Sequence, residues 1–369
     1  MIYFVFAVIL IYLAYVISWI WGWKNTCVTQ IAELNLKVSL IIPCRNEEQN
    51  ISTLLKSIDK QNYNFLNLEV IIINDHSVDK TLETIANAKL ENFKPLILNL
   101  NTNEKGKKAA ITKGISNSAN EIIVCTDSDC VLGENFLKTI ISAFADENIK
   151  LVCGPVIFNQ SKGIINKYLK LDLISMITIG AATIKTGTPT MCNGANIAYR
   201  KSVFNDVKGF EGNENKMSGD DEFLLQKVFI KYSKGIKFVK NKDAIVKTNA
   251  PKSLNEFLNQ RIRWASKAGH YKAFSSKILP FFIFILNCLM LYTMINFTFF
   301  SDLKNFLILW GSKIVIDTCF LGFTLGFFNA RKLMVIAIPA MFLHVFYIFF
   351  IGILSLSRKY EWKGRTVNS

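Results

Sequence analysis

Met1 to Trp23 carry no charged side chain, and Lys24 closes the run. No other feature limits the fold of this chain so strongly, because a stretch of that length matches a hydrocarbon core of roughly 30 Å. A cleaved leader needs a positive start and a small-residue cleavage site. Neither is visible, so residues 1–23 read as an anchor. Ile278–Ser301 and Leu333–Ser357 also lack Asp, Glu, Lys and Arg, and each is long enough to cross. Between them Asn305–Ala330 is interrupted by Lys313 and Asp317, which stand four apart and can pair on one helical face. This segment reads either as a third C-terminal crossing or as a re-entrant or interfacial piece. In the first case the basic tail, residues 358–369, ends outside; in the second it shares the side of residues 24–277.

Residues 24–277 are mixed and rich in lysine, which by the positive-inside rule puts them in the cytoplasm of a multi-pass cell-membrane protein. The whole chain has 43 Lys and Arg against 28 Asp and Glu, a net charge of +15, while 51% of its residues are hydrophobic. That excess suits anionic membrane lipids and phosphate-bearing ligands. No helix-turn-helix, RNP or zinc-finger pattern accompanies it, so nucleic acid is not an expected partner. Eight scattered cysteines without a Cys-x-x-Cys pair read as small hydrophobes of a reducing compartment, and three histidines without ligand spacing argue against zinc.

Strand and helix alternate through the middle of the chain. Lys37–Pro43 reads as a strand, then a helix from about Glu47 to Asp59, a strand Leu68–Ile73 and a helix from about Lys80 to Leu90. Leu96–Leu98, a helix near Lys107–Ser116 and the strand Glu121–Thr126 continue the rhythm. Such units predict an α/β fold with a mostly parallel, Rossmann-like sheet. No Gly-x-Gly-x-x-Gly follows the first strand, and Lys105-Gly-Lys-Lys108 lacks the remaining parts of a Walker loop. A nucleotide here is held by another scheme.

The stretch Ile122-Ile-Val-Cys-Thr-Asp-Ser-Asp-Cys130 suggests which. Its apolar run ends in Asp127 and Asp129, two carboxylates at a strand's carboxyl end, where open α/β sheets bind ligands. Carboxylates so close repel, and a shared Mg²⁺ or Mn²⁺ relieves them, completed by water and diphosphate oxygens. A solvated turn is the plainer alternative for Asp-Ser-Asp alone.

Seven short motifs, in order, resemble family-2 glycosyltransferases. They are Pro43-Cys-Arg-Asn-Glu-Glu48, Ile73-Asn-Asp-His-Ser-Val-Asp79, Lys105-Gly-Lys-Lys-Ala109, Asp127-Ser-Asp129, Cys192-Asn-Gly-Ala-Asn196, Gly219-Asp-Asp-Glu-Phe-Leu224 and Gln260-Arg-Ile-Arg-Trp264. The last two resemble signatures of the membrane-bound branch that includes cellulose, chitin, hyaluronan and poly-N-acetylglucosamine synthases. The resemblance implies a GT-A fold in residues 24–277, with one N-terminal and about three C-terminal membrane helices. It also implies a nucleotide-diphospho-sugar donor, in first place a UDP-sugar, and inversion at the anomeric carbon. Pro43, Asn46, Glu47, Asp75 and Gly194 would line the donor pocket, with Asp75 toward the base. Asp220, Gln260, Arg263 and Trp264 would serve the diphosphate and the acceptor. Where the family commonly has Asp-Asp-Gly-Ser, this chain has Asn74-Asp75-His76-Ser77.

The chemistry these residues can perform follows from their types. A departing nucleoside diphosphate needs its charge neutralised, and Asp127 and Asp129 can hold a cation for that while Lys107 pairs with a phosphate oxygen. The attacking hydroxyl must lose a proton, and Asp221, at the start of an expected helix Asp221–Lys231, is the candidate base. Gln260, Arg263 and Trp264 fall on one helix, expected from about Leu254 to Phe274, so they can approach one region. Three functions follow: a membrane-bound transferase acting on a lipid or glycan acceptor, a processive polysaccharide synthase that exports its product, and a catalytically silent nucleotide-sugar-binding subunit.

Overall fold

The computed structural model describes residues 2–159, 163–214, 216, 218–267, 274–300, 303–355, 359–362 and 365–368. The chain opens with helix α1 (Ile2–Asn25), followed by strand β1 (Val38–Cys44), helix α2 (Ile51–Asp59), β2 (Leu68–Asn74), α3 (Thr81–Ala86), β3 (Leu96–Asn99), α4 (Lys107–Asn117), β4 (Ile122–Cys125) and α5 (Phe136–Ile141). Short strands β5 (Leu151–Cys153) and β6 (Val156–Phe158) lead into the long helix α6 (Ile164–Lys185). Then come β7 (Ile197–Arg200), α7 (Lys201–Asp206), α8 (Asp220–Lys231), β8 (Ile236–Phe238), β9 (Val246–Thr248) and α9 (Leu254–Ala265). Helices α10 (Phe274–Phe300), α11 (Leu303–Thr324) and α12 (Ala337–Ser355) precede a terminal antiparallel pair, β10 (Lys359–Trp362) and β11 (Arg365–Asn368).

The central sheet has the order β3-β2-β1-β4-β7-β5-β8. Only β7 runs against its neighbours, antiparallel to both β4 and β5. β1 explains the parallel half: Val38, Leu40, Ile41 and Ile42 are fully buried, as expected of a strand covered on both faces. The register aligns Cys44 with Asn74 and Asn74 with Asn99, so the carboxyl ends of β1, β2 and β3 open on one edge. β4 delivers Asp127 to the same edge, and because β7 is reversed, its beginning rather than its end arrives there. That reversal brings Gly194 to the edge where the carboxylates stand.

The expected strands stand within a residue or so of their places, but two helices are shorter than the sequence suggests. α2 starts at Ile51 because Glu47 sits in a preceding turn, its carbonyl accepting from the N–H groups of Asn50 and Ile51. α3 stops at Ala86, and the chain leaves helical geometry to bring Phe93 onto Phe65, rings stacked 6.1 Å apart. α8 begins one residue early, at Asp220. The described part of the expected helix Leu254–Phe274 is α9, and residues 268–273 lie outside the described residues, as do the expected ends at Met1, Ser301 and Ser357 and parts of the basic tail.

Among the described residues four helices are long and apolar enough to cross a membrane: Tyr3–Asn25, Lys277–Phe299, Leu303–Thr324 and Arg331–Ser355. The segment left open in the sequence is helical from Leu303 to Thr324 and turns after that, and its Lys313 and Asp317 do pair, with the Tyr12 hydroxyl of α1 donating to Asp317. Inside an apolar bundle a lone charge is expensive, and here each has its partner. α1 packs closely on α6: a Cβ at Gly22 would lie 2.6 Å from the Ala182 carbonyl oxygen, so only glycine admits that approach. Through α6 the sheet domain is fastened directly to the membrane helices.

Candidate active site

A cleft of about 1010 Å³ opens at the carboxyl edge of the sheet. All thirteen residues singled out in the sequence line it: Pro43, Asn46, Glu47, Asp75, Lys107, Asp127, Asp129, Gly194, Asp220, Asp221, Gln260, Arg263 and Trp264. Pro43 ends the apolar run of β1, and the following turn is built by cross-loop hydrogen bonds. Asn46 adopts φ 50°, its N–H donates to the Ser77 hydroxyl, and its side-chain oxygen accepts from Val78 N–H. Asparagine tolerates this left-handed geometry better than most residues. Glu47 is buried, its N–H donating to Thr81 Oγ1 at 2.7 Å and its carboxylate accepting from Asn50.

Asp75 is 3% exposed and its carboxylate already accepts from Gly106 N–H at 3.0 Å, with His76 Nδ1 3.1 Å from the other oxygen. It thereby fixes the glycine from which α4 starts. Arg45, not singled out in the sequence, donates to the carbonyls of Asp75 and His76 at 2.7 and 2.9 Å and locks the two loops together.

Lys107, first residue of α4, is the electrostatic centre. Its Nζ lies 2.6 Å from Asp127 Oδ1 and 3.3 Å from Asp220 Oδ2. Burial works against its charge, but Asp127, Asp220 and Asp221 outweigh it and hold the lysine well above its ordinary value. A cation thus stands already between carboxylates from the β4 end and from α8. Asp129 is held from the far side by the Thr248 hydroxyl at 2.9 Å. Among the described residues no group of three or more His, Cys, Asp and Glu is placed to hold a metal ion. Asp127 and Asp129 on one cleft wall fit an ion that draws its remaining ligands from water and diphosphate, as Mg²⁺ and Mn²⁺ do.

The two neighbouring carboxylates of α8 diverge. Burial pushes Asp220 up, with Lys107 opposing. Asp221 is buried too, but Lys267, Lys107 and the N–H groups of Glu222 and Gly194 hold it below the ordinary carboxylate value. Gly194 N–H reaches Asp221 Oδ2 at 2.9 Å and Glu222 N–H reaches Oδ1 at 2.8 Å. Lys267, just past α9, pairs with buried Glu222 at 2.9 Å; neither was foreseen as a pair, since 45 positions in sequence separate them. Neighbouring titratable groups pushed in opposite directions are a common basis for dividing acid and base roles. On α9 the side-chain oxygen of Gln260 is buried without a hydrogen-bond donor among the described residues, and Arg263 and Trp264 follow it into the cleft.

A mostly parallel sheet with one reversed strand and an acidic pair at its edge agrees with the GT-A-type fold that the sequence resemblance implies. Residues 39–208 match the family model for glycosyl transferase family 2. The poly-beta-1,6-N-acetyl-D-glucosamine synthase of Staphylococcus aureus is 26% identical over 235 residues, 63% of this chain and 54% of that protein. Its Staphylococcus epidermidis counterpart is 27% identical over 237 residues, with the same coverage. The chain thus spans about half the length of these curated relatives. A mannosyltransferase from Pyrobaculum calidifontis, solved with GDP-Man and Mn²⁺, shares the fold at TM-score 0.58 and 16% identity, covering 95% of this chain and 93% of that one.

Proposed function

We propose that this protein transfers a sugar from a nucleotide-diphospho-sugar, a UDP-sugar in first place, to a lipid or glycan acceptor at the cytoplasmic face, with inversion. The observation that carries the reading is the single cleft in which all the sequence-identified residues meet, open at the sheet edge and continuing among the membrane helices past Trp19, Phe320 and Met341. Asp127 and Asp129 would hold Mg²⁺ or Mn²⁺, which when bound supplies positive charge to the departing diphosphate. Lys107, released from Asp127 as the donor arrives, keeps its charge and pairs with a phosphate oxygen. Asp221, kept ionised by Lys267 and two backbone N–H groups, accepts the proton of the attacking hydroxyl. The buried oxygen of Gln260 offers an acceptor to a ligand hydroxyl, Arg263 suits a diphosphate by its fork, and Trp264 gives the acceptor sugar an aromatic face.

Radiolabelled transfer from a panel of nucleotide-sugars, UDP-N-acetylglucosamine first, into membranes containing this chain tests the reading. Asp129→Ala and excess EDTA should each abolish transfer with the fold retained. No transfer from any donor, or full activity in EDTA, would refute the reading or its metal part respectively. The continuation of the cleft between the helices, beside Lys313, Asp317 and His344, favours a second reading in which the chain elongates and exports a polymer. Product length separates the two: one added residue supports simple transfer, a ladder of high polymers the synthase.

A further inference from the structure

Arg261 has no part in the transfer chemistry above, yet it is the most deeply buried charge of α9, with 2% of its side chain exposed. It stands three residues before Trp264 and therefore on the same helical face. Its guanidinium lies 4.5 Å from the centre of the Trp264 ring, and the Phe257 and Tyr347 rings lie 5.2 and 5.8 Å away. Nη1 is 2.6 Å from Oδ2 of Asp172 on α6, itself buried. The other carboxylate oxygen faces His344 Nδ1 of α12 at 3.7 Å, and the Tyr168 hydroxyl lies 3.3 Å from that nitrogen. Among the described residues Asp172 is the one carboxylate paired with Arg261.

A buried ion pair is a poor source of stability, since well-packed apolar residues of like volume often do as well or better. What it can supply is geometry. The planar guanidinium is fixed at one end by the carboxylate and offers its face to the indole, a cation–π contact that strengthens when dry. We propose that Asp172, backed by His344, holds Arg261 beneath Trp264 and so sets where the acceptor lies relative to the donor. The three act as positioning residues that tie the cleft to α6 and to membrane helix α12. The proposal rests on the reading of Trp264 as the acceptor's aromatic face.

Two variants test it on the full chain in detergent and in membranes. Asp172→Asn keeps the shape and leaves the guanidinium buried without its counter-charge. The double variant Asp172→Leu/Arg261→Met removes both charges at similar volume and stands in if the single one does not fold. In Asp172→Asn, hydrogen exchange across Leu254–Ala265 should quicken roughly tenfold while strands β1, β2 and β4 stay protected. UDP affinity by calorimetry should hold. Transfer from UDP-N-acetylglucosamine, or the donor the panel selects, should fall roughly 10- to 100-fold, the scale of a misplacement near 1 Å. In a Trp264→Ala background the double variant should cost nothing more, because the node acts through that ring. Unchanged exchange in α9 of Asp172→Asn, parallel loss of UDP binding and transfer, or a full further loss in the Trp264→Ala background would each overturn the proposal. If the chain transfers no sugar at all, the functional reading fails by itself, and exchange in α9 still decides whether this node holds the helix.

Discussion

Gly194→Ala probes the centre of the cleft with one methyl group. A Cβ there would lie 2.9 Å from Lys107 Nζ, 2.9 Å from Asp220 Oδ2 and 3.6 Å from Asp221 Cβ. To reach ordinary contact at 3.4 Å, the first two atoms must each retreat by about 0.5 Å. Both are ends of side chains, so the fold should survive. They are also partners in an ion pair at 3.3 Å, and the lysine's other partner, Asp127, is at 2.6 Å, so neither can yield without disturbing the array. The backbone N–H of residue 194 still reaches Asp221 in the variant, which confines the perturbation to crowding. Displacing the lysine that meets the diphosphate should weaken UDP binding roughly tenfold, about 1.4 kcal/mol. Misplacing the reacting groups should lower transfer by roughly 10²-fold. Calorimetry with UDP in detergent and initial-rate transfer at saturating donor measure the two effects separately. Wild-type transfer with wild-type UDP affinity would refute the claim that Lys107 and Asp220 must stand where they do.

Three further outcomes are expected. Asp221→Asn should lower transfer by roughly 10²–10⁴ while UDP affinity hardly changes, because an amide keeps the shape but cannot take the proton; near-normal rates would move the base to Asp220 or Glu222. Cys27, exposed just beyond α1, should escape a membrane-impermeant maleimide in intact cells and react after permeabilisation, with Cys27→Ser as the blank; labelling of intact cells would reverse the orientation. Burial pushes the Lys108 ammonium down from 10.5 to about 8, so between those values the folded chain binds fewer protons than the unfolded one. Stability from this group therefore rises as pH climbs from about 8 to 10.5, and the Tm difference between wild type and Lys108→Met should change across that window and stay flat below it.

Much of this protein is decided by patterns that act over short distances along the chain. Met1–Trp23 and the C-terminal apolar runs announce membrane-length helices because hydrophobic burial depends on composition and length alone, whatever lies elsewhere. The βα rhythm and the carboxylates of Asp127-Ser-Asp129 at a strand end are equally local, and a parallel sheet has only one edge to which such ends can lead. Hence the cleft residues were legible as a set before their distances were known. The reversed strand β7 was not, since four residues, Ile197–Arg200, carry no signal of direction, yet its direction is what brings Gly194 to Asp221. Nor could the sequence pair Lys107 with Asp220, Lys267 with Glu222, or Arg261 with Asp172, which lie 113, 45 and 89 positions apart. Charged residues have many available partners at such separations. Only packing excludes water from a particular few, and in that dry setting the choice of partner becomes decisive.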